Sequence, residues 1–138
     1  MVSSTVEAPA PHDNLTEIEA SARASLLTNL TYSITLALSD DPSSETFGSR
    51  TEITFDAADG ASTFIDLAAE TVDRVELNDR VMDAQEAGFD GHRLQLTGLR
   101  ATGNRLVVFA RCTYSVHGVG LHRLVDPVDG RVYVYTHF

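Results

Sequence analysis

The segment Tyr32-Ser-Ile-Thr-Leu-Ala-Leu38 decides the fold class, because its large apolar residues fall at every second position. Successive side chains of a strand point to opposite faces of a sheet, so this period of two indicates a strand with one buried face. The same alternation returns in segments 50–55, 63–67, 72–77, 92–96, 105–114 and 131–135. Turn-forming pairs such as Asp59-Gly60 and Asp90-Gly91 separate these segments. Short strands at this spacing predict an all-β fold, mainly an antiparallel β-sandwich or a saddle-shaped sheet.

One N-terminal helix is predicted ahead of these strands. Its apolar positions recur at intervals of three or four residues and are Leu15, Ile18, Ala22 and Leu26. This spacing predicts an amphipathic helix over about residues 15–27. Asn14 followed by Glu17 is typical of a capped helix start, and Glu19 lies four residues before Arg23, where opposite charges attract. Residues 1–13 hold two of the four prolines and little apolar surface, so we expect a disordered tail there and one folded domain over 14–138.

Length and charge restrict the classes of function. The chain has 138 residues, 43% of them hydrophobic, which is enough for one domain with its own core. Twenty acidic residues against ten basic ones give a net charge of -10, and the basic residues, all Arg, are dispersed along the sequence. A phosphate-binding surface needs clustered positive charge, so nucleic acid and anionic membranes are unfavourable partners. A single cysteine, with neither a signal peptide nor an apolar run of about 20 residues, predicts a soluble cytoplasmic protein.

Reactive side chains are concentrated near the C terminus. Cys112, Tyr114, His117, His122 and Asp126 together offer sulfur, nitrogen and oxygen atoms of the kind that bind zinc. Their spacing matches no zinc motif, and isolated histidines at strand ends more often make structural hydrogen bonds. The sequence also lacks His-Glu-x-x-His, Gly-x-Ser-x-Gly, a phosphate-binding loop and a dinucleotide fingerprint. We therefore expect no metal or other cofactor in this chain, and treat Tyr114, His117, His122 and Asp126 as a speculative pocket.

Two features of this region have simpler explanations than catalysis. The predicted strand face that carries Cys112 is otherwise apolar, with Leu106, Val108 and Ala110, which favours packing over nucleophilic attack. Asp126 and Asp129 stand around Pro127-Val128 and precede Gly130, a pattern typical of a solvated turn.

A long C-terminal string carries a resemblance to a known family. Gly118-Val-Gly-Leu-His-Arg-Leu-Val-Asp-Pro-Val-Asp-Gly-Arg-Val-Tyr-Val-Tyr-Thr-His-Phe138 resembles the amino-terminal β domain of the aminopeptidase N family of zinc aminopeptidases, in its actinobacterial form. Further segments agree in the same order: Tyr32-Ser-Ile-Thr-Leu-Ala-Leu38, Glu45-Thr-Phe-Gly-Ser-Arg50, Gly60-Ala-Ser-Thr-Phe-Ile-Asp-Leu67 and Phe89-Asp-Gly-His-Arg93. The resemblance covers essentially everything after the tail.

The resemblance implies a saddle of strands laid against a thermolysin-like catalytic domain. In the family, zinc is held in that catalytic domain by His-Glu-x-x-His and a downstream Glu, and none of those motifs occurs in this chain. Where the family has Tyr-Thr-Gln-Phe, this chain has Tyr-Thr-His-Phe, so His137 occupies the place of a Gln that helps to hold the substrate's amino terminus. An imidazole is shorter than a carboxamide and, when protonated, repels an ammonium group.

Three interpretations follow for the function. The first is a truncated or isolated N-terminal β domain of a zinc aminopeptidase, incomplete at its C-terminal end and inactive as a peptidase alone. The second is a free-standing binding protein derived from that domain, and the third is a small repurposed enzyme. Under the first interpretation, we expect a peptide amino terminus as partner once a catalytic domain is joined. The apolar, aromatic strand at 131–138 also predicts self-association.

Overall fold

The computed structural model describes residues 15–138, which form one helix and nine strands. In chain order these are α1 (Glu17–Leu26), β1 (Thr28–Ala37), β2 (Thr46–Asp56), β3 (Thr63–Asp66), β4 (Thr71–Leu77), β5 (Arg80–Met82), β6 (Arg93–Leu96), β7 (Asn104–Thr113), β8 (Gly120–Val125) and β9 (Val132–His137). The predicted tail at residues 1–13 and the predicted cap at Asn14 lie outside the described residues.

The strands form three antiparallel sheets. Five of them make the main sheet in the order β1-β2-β7-β4-β5, while β3 pairs with β6 and β8 pairs with β9. Every strand pair within these sheets is antiparallel. The predicted all-β class with a single helix is therefore confirmed.

The core lies on one face of the main sheet, between it and the β3–β6 pair. Residues opposite each other in antiparallel strands share a face, and Ile53, Leu106 and Leu77 follow one another across β2, β7 and β4. Leu94 and Leu96 of β6 meet this face and are almost wholly buried. Cys112 is half-buried and packs against the same cluster, so its predicted packing role is confirmed, and burial raises the pKa of its thiol.

Helix α1 differs from the prediction in its cap and in its buried face. Thr16 caps it, accepting a hydrogen bond from the Glu19 amide while the Glu19 carboxylate accepts one from the Thr16 amide. The cap thus lies two residues beyond Asn14. Ile18 is 83% exposed, so the predicted apolar stripe does not face the core.

The predicted pair between Glu19 and Arg23 is also wrong. Glu19 binds Arg93, with 2.7 Å between Oε1 and Nη1, and Arg23 binds Asp66, with 3.0 Å between Nη1 and Oδ2. These ionic contacts attach α1 to the β3–β6 pair, and they replace the hydrophobic packing that the sequence pattern predicted.

All seven predicted strands are present, and two further strands were missed. Strand β5 follows a two-residue turn at Asn78-Asp79, where Asn78 adopts the left-handed conformation with φ of 55°. Strand β8 covers Gly120–Val125, a segment that is absent from the predicted strands.

Candidate functional site

The β8–β9 hairpin carries most of the candidate site residues. His122 of β8 lies opposite Tyr135 of β9, and Gly120 lies opposite His137. The rings of His122 and Tyr135 stack in parallel planes, with centroids 5.1 Å apart. Because opposite and alternate residues share a face, His137 lies on the same face of the hairpin as this stack.

His122 has a structural environment. It is 8% exposed, and its Nε2 lies 2.8 Å from the carbonyl oxygen of Gly118. A carbonyl oxygen only accepts hydrogen bonds, so Nε2 is the nitrogen that carries the proton in this contact. The imidazole thereby closes the loop between β7 and β8.

Backbone geometry tightens that loop further. Ser115 and His122 form an isolated bridge, and the Ser115 hydroxyl donates to the carbonyl of Val119 over 2.8 Å. Gly120 has a φ of +126°, and a Cβ there would lie 2.5 Å from the Ser115 Oγ. Only glycine fits this position without displacing the serine.

Tyr114 lies inside the fold at the end of β7. Its ring is buried, 5.0 Å from the ring of Phe47, and the Arg123 guanidinium lies 5.9 Å from its centroid. The Tyr114 hydroxyl is buried and has no hydrogen-bond partner among residues 15–138. Arg123 donates to the backbone carbonyls of Asp41 and Pro42, which ties the hairpin to the loop between β1 and β2.

The remaining candidates are more exposed. Asp126 accepts from the Val128 amide over 2.7 Å and Asp129 accepts from the Arg131 amide over 2.8 Å, so the predicted turn is confirmed. His117 and His137 are both exposed.

The structure does not join the candidate residues to one another. Within the described part of the chain, no hydrogen bond, ion pair or ring contact links any two of Tyr114, His117, His122, Asp126 and His137. Among residues 15–138, no group of three or more His, Cys, Asp or Glu residues is placed so that it could hold a metal ion. A shared binding role for the speculative pocket stays a prediction.

A network of charged side chains lies on the outer face of the main sheet, and the sequence did not predict it. Arg105 donates to both carboxylate oxygens of Glu52, over 2.9 and 3.1 Å, and Arg50 donates to the same carboxylate. These hydrogen bonds lower the pKa of Glu52 and raise that of Arg105. Arg50 and Arg74 both lie against the ring of Phe109. Arginines that are dispersed in the sequence thus gather on one face, because residues at alternate positions of neighbouring strands meet.

A groove beside β1 was also missed. It has a volume of about 620 Å³ and lies between α1, β1 and the core face of β2, with Arg23 and Asp66 among its lining residues. Its apolar lining residues include Leu27, Leu30, Tyr32, Ile34 and Ile53. Its signal in the sequence was the apolar row of β1, which α1 meets with the small side chains of Ala20 and Ala24 and with Leu27.

A known aminopeptidase is similar to most of this chain. No family model matches the sequence. Aminopeptidase N of Streptomyces lividans is 46% identical over 129 residues, which are 93% of this chain and 15% of that protein. The resemblance to aminopeptidase N is confirmed. The chain is similar to one segment of this relative and spans less than one-sixth of its length.

The aminopeptidase N-like domain contains no membrane-spanning candidate among its described helical residues. Between residues 15 and 138, no helix is long and apolar enough to cross a membrane.

Proposed function

We propose that this domain is the amino-terminal β domain of a zinc aminopeptidase of the cytoplasm, in which it forms the side of the cleft that receives the peptide's free amino terminus. The observation that carries the proposal is the 46% identity to aminopeptidase N over 93% of the chain. A β-rich domain without a zinc-ligand group among residues 15–138 suits a supporting role, in which the metal and the general base belong to another part of the enzyme.

His137 is the residue proposed to contact the substrate. It is exposed on β9, on the same face as Tyr135, and it is available to a group outside this domain. A neutral imidazole nitrogen that accepts a hydrogen bond can bind a substrate ammonium group. The exposed neighbouring aromatic ring provides an apolar surface for the first side chain of a peptide.

A chimera tests this role. The matching segment of the Streptomyces lividans enzyme is replaced with this chain, and hydrolysis of aminoacyl chromogenic substrates is measured with zinc present. We expect the chimera to be active, His137→Ala to raise KM about tenfold, and His137→Gln to restore it. His92→Gln, a change in the loop before β6, serves as the matched histidine control and leaves KM unchanged.

The chain by itself should have no peptidase activity, with or without added zinc, because a hydrolytic zinc site needs about three protein ligands and a base. A folded but inactive chimera would contradict the proposed domain role. An active chimera whose KM is unchanged by His137→Ala would contradict only the proposal that His137 contacts the substrate.

The free-standing binding protein is the second candidate, and the observation that favours it is the outer edge of β1, with which no strand among residues 15–138 pairs. Zinc-dependent turnover that co-purifies with the isolated chain and disappears in His117→Ala would instead support the repurposed enzyme.

A further inference from the structure

Strand β1 has an open edge. It pairs with β2 on one side, and no described strand pairs with its other side. All ten residues of β1 are exposed. The register with β2 shifts between Thr28 and Thr31 and is regular from Thr31 to Ala37, and a regular edge with free backbone N–H and C=O groups is a template for pairing with another strand.

The exposed side chains of β1 form an apolar row. Leu30 and Leu36 are each 42% exposed, while Tyr32 and Ile34 are 58% and 61% exposed. This row lies on the same face as the core residue Ile53, because Tyr32 is opposite Ile53 in the β1–β2 register. The row is therefore an exposed apolar surface next to the hydrophobic core.

The sequence of β1 reads nearly the same in both directions. In Leu30-Thr-Tyr-Ser-Ile-Thr-Leu36, Ser33 is the centre, leucines stand at both ends and threonines stand next to the leucines. In antiparallel pairing about a two-fold axis, residues at equal distances on the two sides of the axis lie opposite each other. A strand of this kind is complementary to itself.

We propose that two copies of this chain pair antiparallel through β1, with a two-fold axis at Ser33. Leu30 then lies opposite Leu36 of the second copy, Thr31 opposite Thr35 of the second copy, and Ser33 opposite Ser33 of the second copy. The two apolar rows fall on one face, and the two five-stranded sheets join into one sheet of ten strands. The dimer requires only β1 and is independent of the aminopeptidase role.

The strand itself is uncharged, although each chain carries a net charge of -10. Thr28–Ala37 contains no charged residue, and Asp56 of β2 is held at the start of the strand by a hydrogen bond from the Asn29 side chain over 2.8 Å. An axis placed midway between Ser33 and one of its neighbours would set Leu30 opposite Thr35 or Ala37 of the second copy, which loses the match of leucine with leucine. The axis at Ser33 matches leucine with leucine and threonine with threonine.

Disulfide trapping in a Cys112→Ser background tests the register. Residues opposite each other in adjacent antiparallel strands have Cα atoms about 4.5–5.5 Å apart, which is within the range for a disulfide. Ser33→Cys should therefore form a cross-linked dimer under mild oxidation. Thr31→Cys alone should not, whereas an equal mixture of Thr31→Cys and Thr35→Cys should form a mixed dimer.

Light scattering and sedimentation at several concentrations test the contact without a cross-link. We expect a dimer whose dissociation constant rises at least about tenfold in Ser33→Glu, because two carboxylates then face each other across the axis. Thr136→Glu is the matched control on β9, where the sequence analysis predicted self-association, and it should leave the dimer intact.

The proposal fails if the chain is a monomer at every concentration. It also fails if Thr136→Glu dissociates the dimer while Ser33→Glu does not, since the contact then lies at β9. Preferential cross-linking of Thr31→Cys with itself would overturn the axis at Ser33. Circular dichroism that matches the parent chain shows that each exposed substitution leaves the fold intact.

Discussion

Strands β1 and β7 have the same length and the same alternating pattern, yet opposite surroundings. Each has ten residues and each pairs with β2, one on either side. None of the residues of β1 is buried, whereas Asn104, Leu106, Val107, Val108 and Ala110 of β7 are. Alternation therefore shows which residues share a face, but the place of a strand in the sheet decides whether that face is covered.

The two strands differ in burial because different elements pack over them on the core face of the main sheet. The centre of the main sheet is covered by Leu94 and Leu96 of β6, which meet Leu106 and Val108 in the core. Over β1 the second layer is α1, and its outward Ile18 contributes nothing to burial. Because α1 does not fill the space over β1, a groove of about 620 Å³ remains between them.

Truncating one aliphatic side chain in each strand should give the largest contrast. Leu106 is fully buried, so Leu106→Ala should lower the free energy of unfolding by about 2–5 kcal/mol through lost burial and an unfilled cavity. Ile34 is 61% exposed, and Ile34→Ala should cost about 1 kcal/mol or less. Urea unfolding at one low protein concentration measures both.

Equal losses in the two variants would break the comparison. That outcome would mean that the row of β1 is covered in solution, and a loss for Ile34→Ala that grows with protein concentration would attribute the cover to a second copy.

A second contrast concerns an asparagine at the start of each strand. The Asn104 side chain is fully buried, accepts from the Arg100 amide and donates to the carbonyls of Arg100 and Phe55. Asn104→Ala leaves these backbone groups unpaired and should cost about 3 kcal/mol. Asn29 is exposed with φ of 54°, and Asn29→Gly should cost about 1 kcal/mol or less, because glycine accepts that conformation and only one exposed hydrogen bond, to Asp56, is lost. Thermal unfolding of the two variants side by side gives the measurement, and similar losses would show that Asn104 is not the centre of a buried network.

The comparison also explains what the sequence could predict. Period-two segments such as 50–55 and 105–114 were found because each is long and flanked by turn residues. Strand β5 has only three residues, and β8 interrupts its apolar positions with His122 and Arg123, so neither shows a clear period.

The helix and the site depended on contacts distant in sequence. The partners of Glu19 and Arg23 lie at Arg93 and Asp66, and no local spacing indicates them. The turn role of Asp126 follows from local residue types and was predicted correctly. The stack of His122 on Tyr135 needs the register of the hairpin, which is set only when β8 and β9 pair.

The attachment of α1 offers a smaller test on the β1 side of the molecule. Thr16→Ala removes the hydroxyl that accepts from the Glu19 amide and should cost about 1 kcal/mol. Thr16→Ser keeps the hydroxyl and serves as the control. If α1 holds the groove closed at one end, hydrogen exchange should accelerate in β1 of the alanine variant more than in β7. Equal acceleration in both strands would show that β1 is no less stable locally than the core strand.

The smallest expected effect is the pH dependence of the same attachment. Hydrogen bonds from the Arg93 side chain, and next from the Thr16 amide, lower the pKa of the Glu19 carboxyl from 4.5 to about 2, against an opposing contribution from burial. Because the folded-state pKa is the lower one, the unfolded chain binds the proton more readily. The stabilisation by Glu19 is therefore complete above pH 4.5 and is lost as the pH falls toward 2.

Glu19→Gln removes this contribution while keeping the other acidic groups, so the difference in urea midpoint between the two proteins should shrink across that range. A difference that stays constant from pH 6 to pH 2.5 would mean that Glu19 acts through packing alone. In that case the ion pair with Arg93 does not stabilise the attachment of α1 to the β3–β6 pair.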